Sequence, residues 1–164
     1  MRELHFHTFE PVFDSNSRIL ILGTFPSVKS RESGFYYGHP QNRFWRVMAK
    51  LLSQPVPCSI EEKKQLLIQN RVALWDVAAS CEIEGSSDSS MTRVVPNDIP
   101  KLLSESKITH VFANGKKAAQ LYNRLIYPVT ELEIVTLPST SPANADCGME
   151  NLLREWQVIL PLLT

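Results

Sequence analysis

The sequence predicts an α/β fold, a three-layer α/β/α arrangement around a central, mainly parallel four-stranded sheet. Three observations carry that expectation. Four short apolar runs recur along the chain, each too short for a buried helix. Segments with apolar residues at helical spacing lie between them, and strands alternating with helices imply parallel pairing with helices on both faces. No internal repeat or linker divides the 164 residues, so residues 1–164 are expected to form a single domain.

The elements follow in order. Residues 18–23 (RILILG) are a continuous apolar run ending in glycine, as expected of a strand buried on both faces. Residues 42–52 carry Phe44, Trp45, Met48, Leu51 and Leu52 at helical spacing, and residues 60–70 carry Leu66, Leu67 and Ile68. Residues 71–77 (RVALWDV) form the second strand. Residues 98–106 form a helix that Asn97 or Asp98 can cap, with Pro100 in the first turn, where proline is tolerated. The third strand, residues 110–113 (HVFA), starts as early as Ile108. A helix over 116–126, a fourth strand over 133–137 (EIVTL) and a helix over 149–163 complete the set. The polar run 85–90 (GSSDSS) reads either as a solvated loop or as a substrate-facing loop after the second strand.

Right-handed crossovers place every strand's carboxyl end on one edge of the sheet. Small polar residues gather there. The first strand runs into Thr24, Phe25, Pro26 and Ser27, with Gly23 at its end, and the second into Asp76. The third runs into Asn114 and Gly115, and the fourth into Pro138, Ser139, Thr140, Ser141 and Pro142. Ligands of open α/β sheets bind at that edge. The site is therefore located from the pattern alone.

Composition narrows the function less. Lys plus Arg and Asp plus Glu both number 17. A neutral sum leaves DNA binding open, because a local basic face can sit within it. No apolar stretch is long enough to cross a bilayer, and the first ten residues lack a signal-peptide pattern, so a cytoplasmic protein without membrane contact is expected. Cys58, Cys81 and Cys147 lie too far apart for a disulfide framework or a zinc site and read as buried small residues. No metal or other cofactor is expected.

Residues 23–45 read GTFPSVKSRESGFYYGHPQNRFW, a rigid Gly- and Pro-containing loop before a helix. Phe35, Tyr36, Tyr37 and His39 lie in a part of it too irregular for a helix. Aromatic rings on such a loop either stack on an unpaired base or cap the core, and for Phe35 and Tyr36 both readings stand. Phe44 and Trp45 read as core.

Four blocks, GTFPS, YYGHPQNRFW, LWDVAASCE and LPSTSPAN, together resemble the uracil-DNA glycosylase superfamily and, within it, the hypoxanthine-DNA glycosylase branch. They span much of the chain in the family's order. The resemblance implies DNA as partner, a monomer, and hydrolytic release of a deaminated base, hypoxanthine or uracil. Relatives carry a water-activating asparagine in a Gly-x-Asn-Pro turn, and Phe25 holds that place here. The resemblance then implies that Asn42 supplies the catalytic amide; otherwise Asn42 is a helix cap. Tyr37 keeps the spacing of the relatives' base-stacking aromatic, and Phe25 faces it across the base.

In the superfamily a polar residue near Asp76 reads the base edge. An ionised carboxylate only accepts hydrogen bonds. Hypoxanthine and uracil present a ring N–H where adenine and cytosine present a lone pair, so Asp76 would favour deaminated bases. Asp76 also reads as a cap or ion-pair partner. Ser139 and Ser141 suit phosphate contacts or plain turn chemistry, and Asn114 suits a base or phosphate contact or a helix start. His39 is a candidate contact to the sugar or the departing base, or an uncommitted loop histidine. Two rivals are a lyase using Lys29, Lys116 or Lys117 as nucleophile and a non-catalytic binder of damaged DNA.

Overall fold

The structure, a computed structural model, describes residues 3–83 and 91–164. Strands β2 (Ile19–Gly23), β3 (Val72–Asp76), β6 (His110–Asn114) and β7 (Ile134–Leu137) form the four-stranded sheet in the order β3-β2-β6-β7. All three pairings are parallel. Along β2, Ile19 and Ile21 pack into one apolar cluster and Leu20 and Leu22 into another. All four are fully buried, each worth about 1.5–3 kcal/mol of burial. The first cluster is closed by α2 (Phe44–Leu51), α3 (Ile60–Gln69) and α7 (Met149–Trp156), through Phe44, Met48, Leu67 and Trp156. The second is closed by α4 (Ile99–Ser104) and α5 (Lys116–Leu125), through Leu102, Leu121 and Tyr122. This is the expected three-layer arrangement.

A second sheet is absent from the sequence reading. Strands β1 (Glu3–Phe6), β4 (Ala78–Ile83) and β5 (Thr92–Pro96) form an antiparallel sheet in the order β1-β4-β5. The reason is local. Along β1 and the residue after it the alternation is inverted: Leu4 and Phe6 are exposed, while His5 and His7 turn inward. The β4–β5 pairing is broken by register shifts at Ser80 and Glu82. β4 and β5 carry no clean alternation of the kind that marks a half-buried strand.

Smaller departures have similar causes. The loop 23–45 contains a six-residue helix, α1 (Val28–Ser33), capped by Ser27 and ended by Gly34 at φ 79°. The helix expected over 149–163 ends at Trp156 and continues as a 3₁₀ helix over Gln157–Leu163. Pro161 has no N–H for the carbonyl of Gln157, and its ring crowds that turn. A short helix, α6 (Tyr127–Thr130), follows α5. Asp98, not Asn97, caps α4, its side chain accepting from the Lys101 N–H. Of the cysteines, only Cys81 is fully buried; Cys147 is half-buried and Cys58 exposed. The run 85–90 lies outside the described residues.

Candidate functional site

Chain order places the topological switch between β2 and β6, since β3 and β6 lie on opposite sides of β2. A cavity of about 420 Å³ opens at the carboxyl edge of these strands. It is lined by residues 23–27, Tyr37, Asn42, Asp76, Asn114 and residues 139–141. Segments far apart in the chain thus converge on one hollow. His39 and Pro142 are outside that lining, and the His39 Nδ1 accepts from the Gln41 N–H within its own turn. A shallower depression of about 630 Å³ lies across Ser139, Ser141 and Ala143, reaching Lys116 and Cys147.

Asp76 ends β3, directly opposite Gly23 on β2. The pairing continues past both strands, with the Val77 N–H donating to Gly23 and the Ala78 N–H to Thr24. The Asn97 amide donates to the carbonyls of Asp76 and Ala78 at 2.9 and 3.2 Å, so this residue braces the strand end instead of capping a helix. One Asp76 oxygen, Oδ2, lies 2.9 Å from His7 Nε2. The other, Oδ1, and the Tyr37 hydroxyl both lie over Gly23: a β-carbon there would meet them at 2.4 and 3.0 Å. Only glycine leaves that space.

Tyr37 has φ 53°, a left-handed backbone that tyrosine adopts rarely. Its ring stacks on Phe44 of α2, centroids 4.2 Å apart, and also lines the cavity. Phe25 is buried and lines the cavity too, with the Arg31 guanidinium over its ring. Phe35 and Tyr36 join the core with Phe44 and Trp45. Burial above all, with the nearby Asp76 carboxylate second, pushes the Tyr36 phenol well above its ordinary value. It stays a donor, to the carbonyl of Glu10 at 2.7 Å.

The opposite wall has a defined hydrogen-bond polarity. The Phe44 N–H can only donate, so the Asn42 atom 2.9 Å away is its oxygen, Oδ1. Likewise the Thr140 N–H identifies Asn114 Oδ1 at 3.0 Å. Asn114 Nδ2 then donates to Thr140 Oγ1 at 3.0 Å, and that hydroxyl passes its hydrogen to Asn42 Oδ1 at 2.8 Å. The Asn42 oxygen therefore accepts twice already. What remains for the cavity is Nδ2, a donor.

The loop 138–147 is held from below. Trp156 donates its indole N–H to the Pro138 carbonyl at 2.9 Å. Arg43 donates to the carbonyls of Ser141 at 3.2 Å, Asn144 at 3.1 Å and Cys147. The Ser139 and Ser141 hydroxyl oxygens accept from the N–H groups of Ser141 and Ala143, which is turn chemistry. Gly115, at φ 99°, lets α5 begin against this loop, where a β-carbon would meet that of Ser139 at 3.2 Å. His7 and Arg43 escaped the sequence reading. The RFW context of Arg43 offered a faint signal; His7 offered none, because its partner is 69 residues away. Among the described residues no group of three or more His, Cys, Asp or Glu could hold a metal.

The profile of the Uracil DNA glycosylase superfamily matches residues 10–160. A hypoxanthine DNA glycosylase of Methanosarcina acetivorans is 36% identical over 153 residues, covering 92% of this chain and 95% of that protein. A hypoxanthine DNA glycosylase of Methanosarcina barkeri is 32% identical over 114 residues, covering 68% and 72%. The solution NMR structure of a candidate uracil DNA glycosylase from M. acetivorans superposes with a TM-score of 0.83 at 33% identity, covering 99% of each chain.

Two expectations follow from the geometry. Gly23→Ala should displace Asp76 and Tyr37, because the carboxylate is held at its other oxygen by His7 and cannot move freely. Single-turnover activity should fall about a hundredfold, the effect of misplacing reacting groups by roughly 1 Å, with circular dichroism unchanged. Arg43→Ala should free three carbonyls of the 138–147 loop. Amide hydrogen exchange over residues 139–147 should accelerate by about tenfold or more, since a hydrogen bond to a charged group is worth about 1.5–3 kcal/mol.

Proposed function

We infer the activity from one premise, that the chain belongs to the uracil DNA glycosylase superfamily. It is a DNA glycosylase, and its substrate is a deaminated base, hypoxanthine foremost, as the names of its relatives indicate. The single observation that carries the residue assignments is the convergence of Tyr37, Asn42 and Asp76 on one cavity at the carboxyl edge. A glycosylase cannot reach the glycosidic bond inside a duplex, so the nucleotide swings out into such a pocket. The cavity suits this in size and in its pairing of aromatic with polar walls. We assign no membrane contact and a single-domain monomer acting in the cytoplasm.

In our assignment Tyr37, backed by Phe44, stacks on one face of the base, and Phe25 closes the pocket on the other. Asp76 accepts the N1–H of hypoxanthine. Adenine, which has a lone pair there, would leave a buried acceptor facing an acceptor. The bond from C1′ to the base breaks with its electron pair leaving on the base. Water then adds to the oxocarbenium-like sugar, and one of its protons balances the departing base. Asn42 serves as a donor. Its Nδ2 hydrogens meet negative charge growing on the base, or the oxygen of the attacking water, without taking a proton. Of the two roles an amide offers, accepting from water and donating, the second is the one left to Asn42, because its oxygen already has two donors. The loop 138–147, with Ser139, Thr140 and Ser141 facing the cavity, supports the DNA strand beside the extruded nucleotide.

The donor role separates two outcomes. Asn42→Asp keeps the acceptor for Phe44 and Thr140 but removes the donor. We expect base release to fall as far as in Asn42→Ala, about a hundredfold or more, the scale of losing one donor to developing charge. If instead Asn42 drew a proton from water, the aspartate would retain or exceed wild-type activity. For Asp76, single-turnover release from hypoxanthine, uracil and adenine duplexes is the measurement. Asp76→Asn should lose about one to two decades on hypoxanthine and narrow the gap to adenine, because its amide can turn and donate. A uniform loss across bases with a lower melting temperature would reduce Asp76 to a structural role.

A further inference from the structure

His7 hydrogen-bonds the side-chain carboxylate of Asp76 on the cavity wall, and nothing in the proposed reaction uses it. It sits just past β1, where its N–H donates to the Ala79 carbonyl at 2.8 Å. That backbone bond ties the N-terminal segment to the strand that follows Asp76. The imidazole then crosses to Asp76, Nε2 to Oδ2 at 2.9 Å. Both side chains are buried, 4% and 5% exposed. Two nitrogen and oxygen atoms at that separation share one proton; with Asp76 ionised, Nε2 carries it and donates. The ring is held by Phe9, Tyr36 and Phe25, at centroid distances of 4.7, 5.8 and 6.1 Å. It therefore has little freedom to turn away.

We propose that His7 is a positioning residue for base recognition: by binding Oδ2 of Asp76 it aims the carboxylate so that Oδ1 is the atom offered to the extruded base. The proposal rests on the reading of Asp76 as the group that reads the base edge. Two constraints act on the same carboxylate. Gly23 leaves room for Oδ1 on one side, and His7 pins Oδ2 on the other. A carboxylate held at a single point could rotate and present either oxygen, or swing out of line with the base. The donor also offsets part of a negative charge that would oppose electron density collecting on the departing base. Burying a carboxylate carries a desolvation cost that one hydrogen bond offsets only in part, so the contact is a poor way to stabilise a fold. Its place on the wall of the cavity favours a role in the site.

The test combines two His7 variants with Asp76→Asn in the full-length protein. His7→Phe fills the aromatic nest but has no donor. His7→Gln puts an amide N–H near the place of Nε2. Single-turnover release from hypoxanthine and adenine duplexes is measured for each, with thermal melting. We expect His7→Phe to lose about tenfold to a hundredfold on hypoxanthine, the worth of one charge-assisted hydrogen bond. We expect His7→Gln to stay within severalfold of wild type. His7→Phe and Asp76→Asn should be non-additive, the double variant being no slower than the slower single. Additive losses, or a folded His7→Phe with wild-type rate and selectivity, would overturn the role of His7 while leaving Asp76 as the reader. Unchanged selectivity in Asp76→Asn would instead remove the reading on which the proposal stands. Should His7→Phe fail to fold, His7→Met replaces it as the donor-free variant, and a folded His7→Gln that loses tenfold or more counts against the proposal.

Discussion

In-register pairing of Gly23 with Asp76 at the carboxyl end of the sheet governs the geometry of everything that gathers there. Successive side chains on a strand point to opposite faces, so a slip of one residue would turn Asp76 away from the cavity and put Trp75 in its place. The register is protected from both sides. Four buried residues of β2 fix which way the strand faces, and backbone bonds carry the pairing past the strand ends into Val77 and Ala78. Asn97 braces the same segment. Glycine at 23 is then required by its neighbours. The space a side chain would fill is taken by a carboxylate oxygen and a phenol.

The other wall is organised by a different constraint. Backbone N–H groups at Phe44 and Thr140 cannot change roles, and each fixes the orientation of one asparagine amide. The hydroxyl of Thr140 then has a single direction in which to pass its hydrogen. Thr140 is fully buried and links segments 98 residues apart in the chain. The cavity thus faces a donor on the Asn42 side and an acceptor on the Asp76 side. A base that carries an N–H on one edge and collects negative charge as it leaves is complementary to that arrangement.

DNA recognition by a chain with equal numbers of acidic and basic residues must draw on local features. In the reading proposed here the loop 138–147 is one, held by Arg43 and Trp156 beneath it. Holding a loop by its carbonyls costs little adaptability in its outward side chains. It would also lower the entropy lost if the loop meets a DNA strand, as proposed.

Much of this was legible in the sequence. The four parallel strands were, because a strand buried on both faces needs an unbroken apolar run, and RILILG and VALW are such runs. Their ends were legible too, since small polar residues, among them Thr24, Ser27, Asn114, Ser139 and Ser141, follow where the chain must turn. With the strands came the location of the cavity, and the four motif blocks identified the family that the comparisons then showed. Tertiary structure alone decided the rest. The antiparallel sheet was hidden because β1 turns His5 inward and its Leu4 and Phe6 outward, against the usual period. The orientation of the Asn42 amide depended on Thr140, and the aim of Asp76 on His7. These partners lie 98 and 69 residues away. Local pattern reports how a segment meets water and its own backbone; it carries no record of which distant donor arrives at a given oxygen, and that choice belongs to packing.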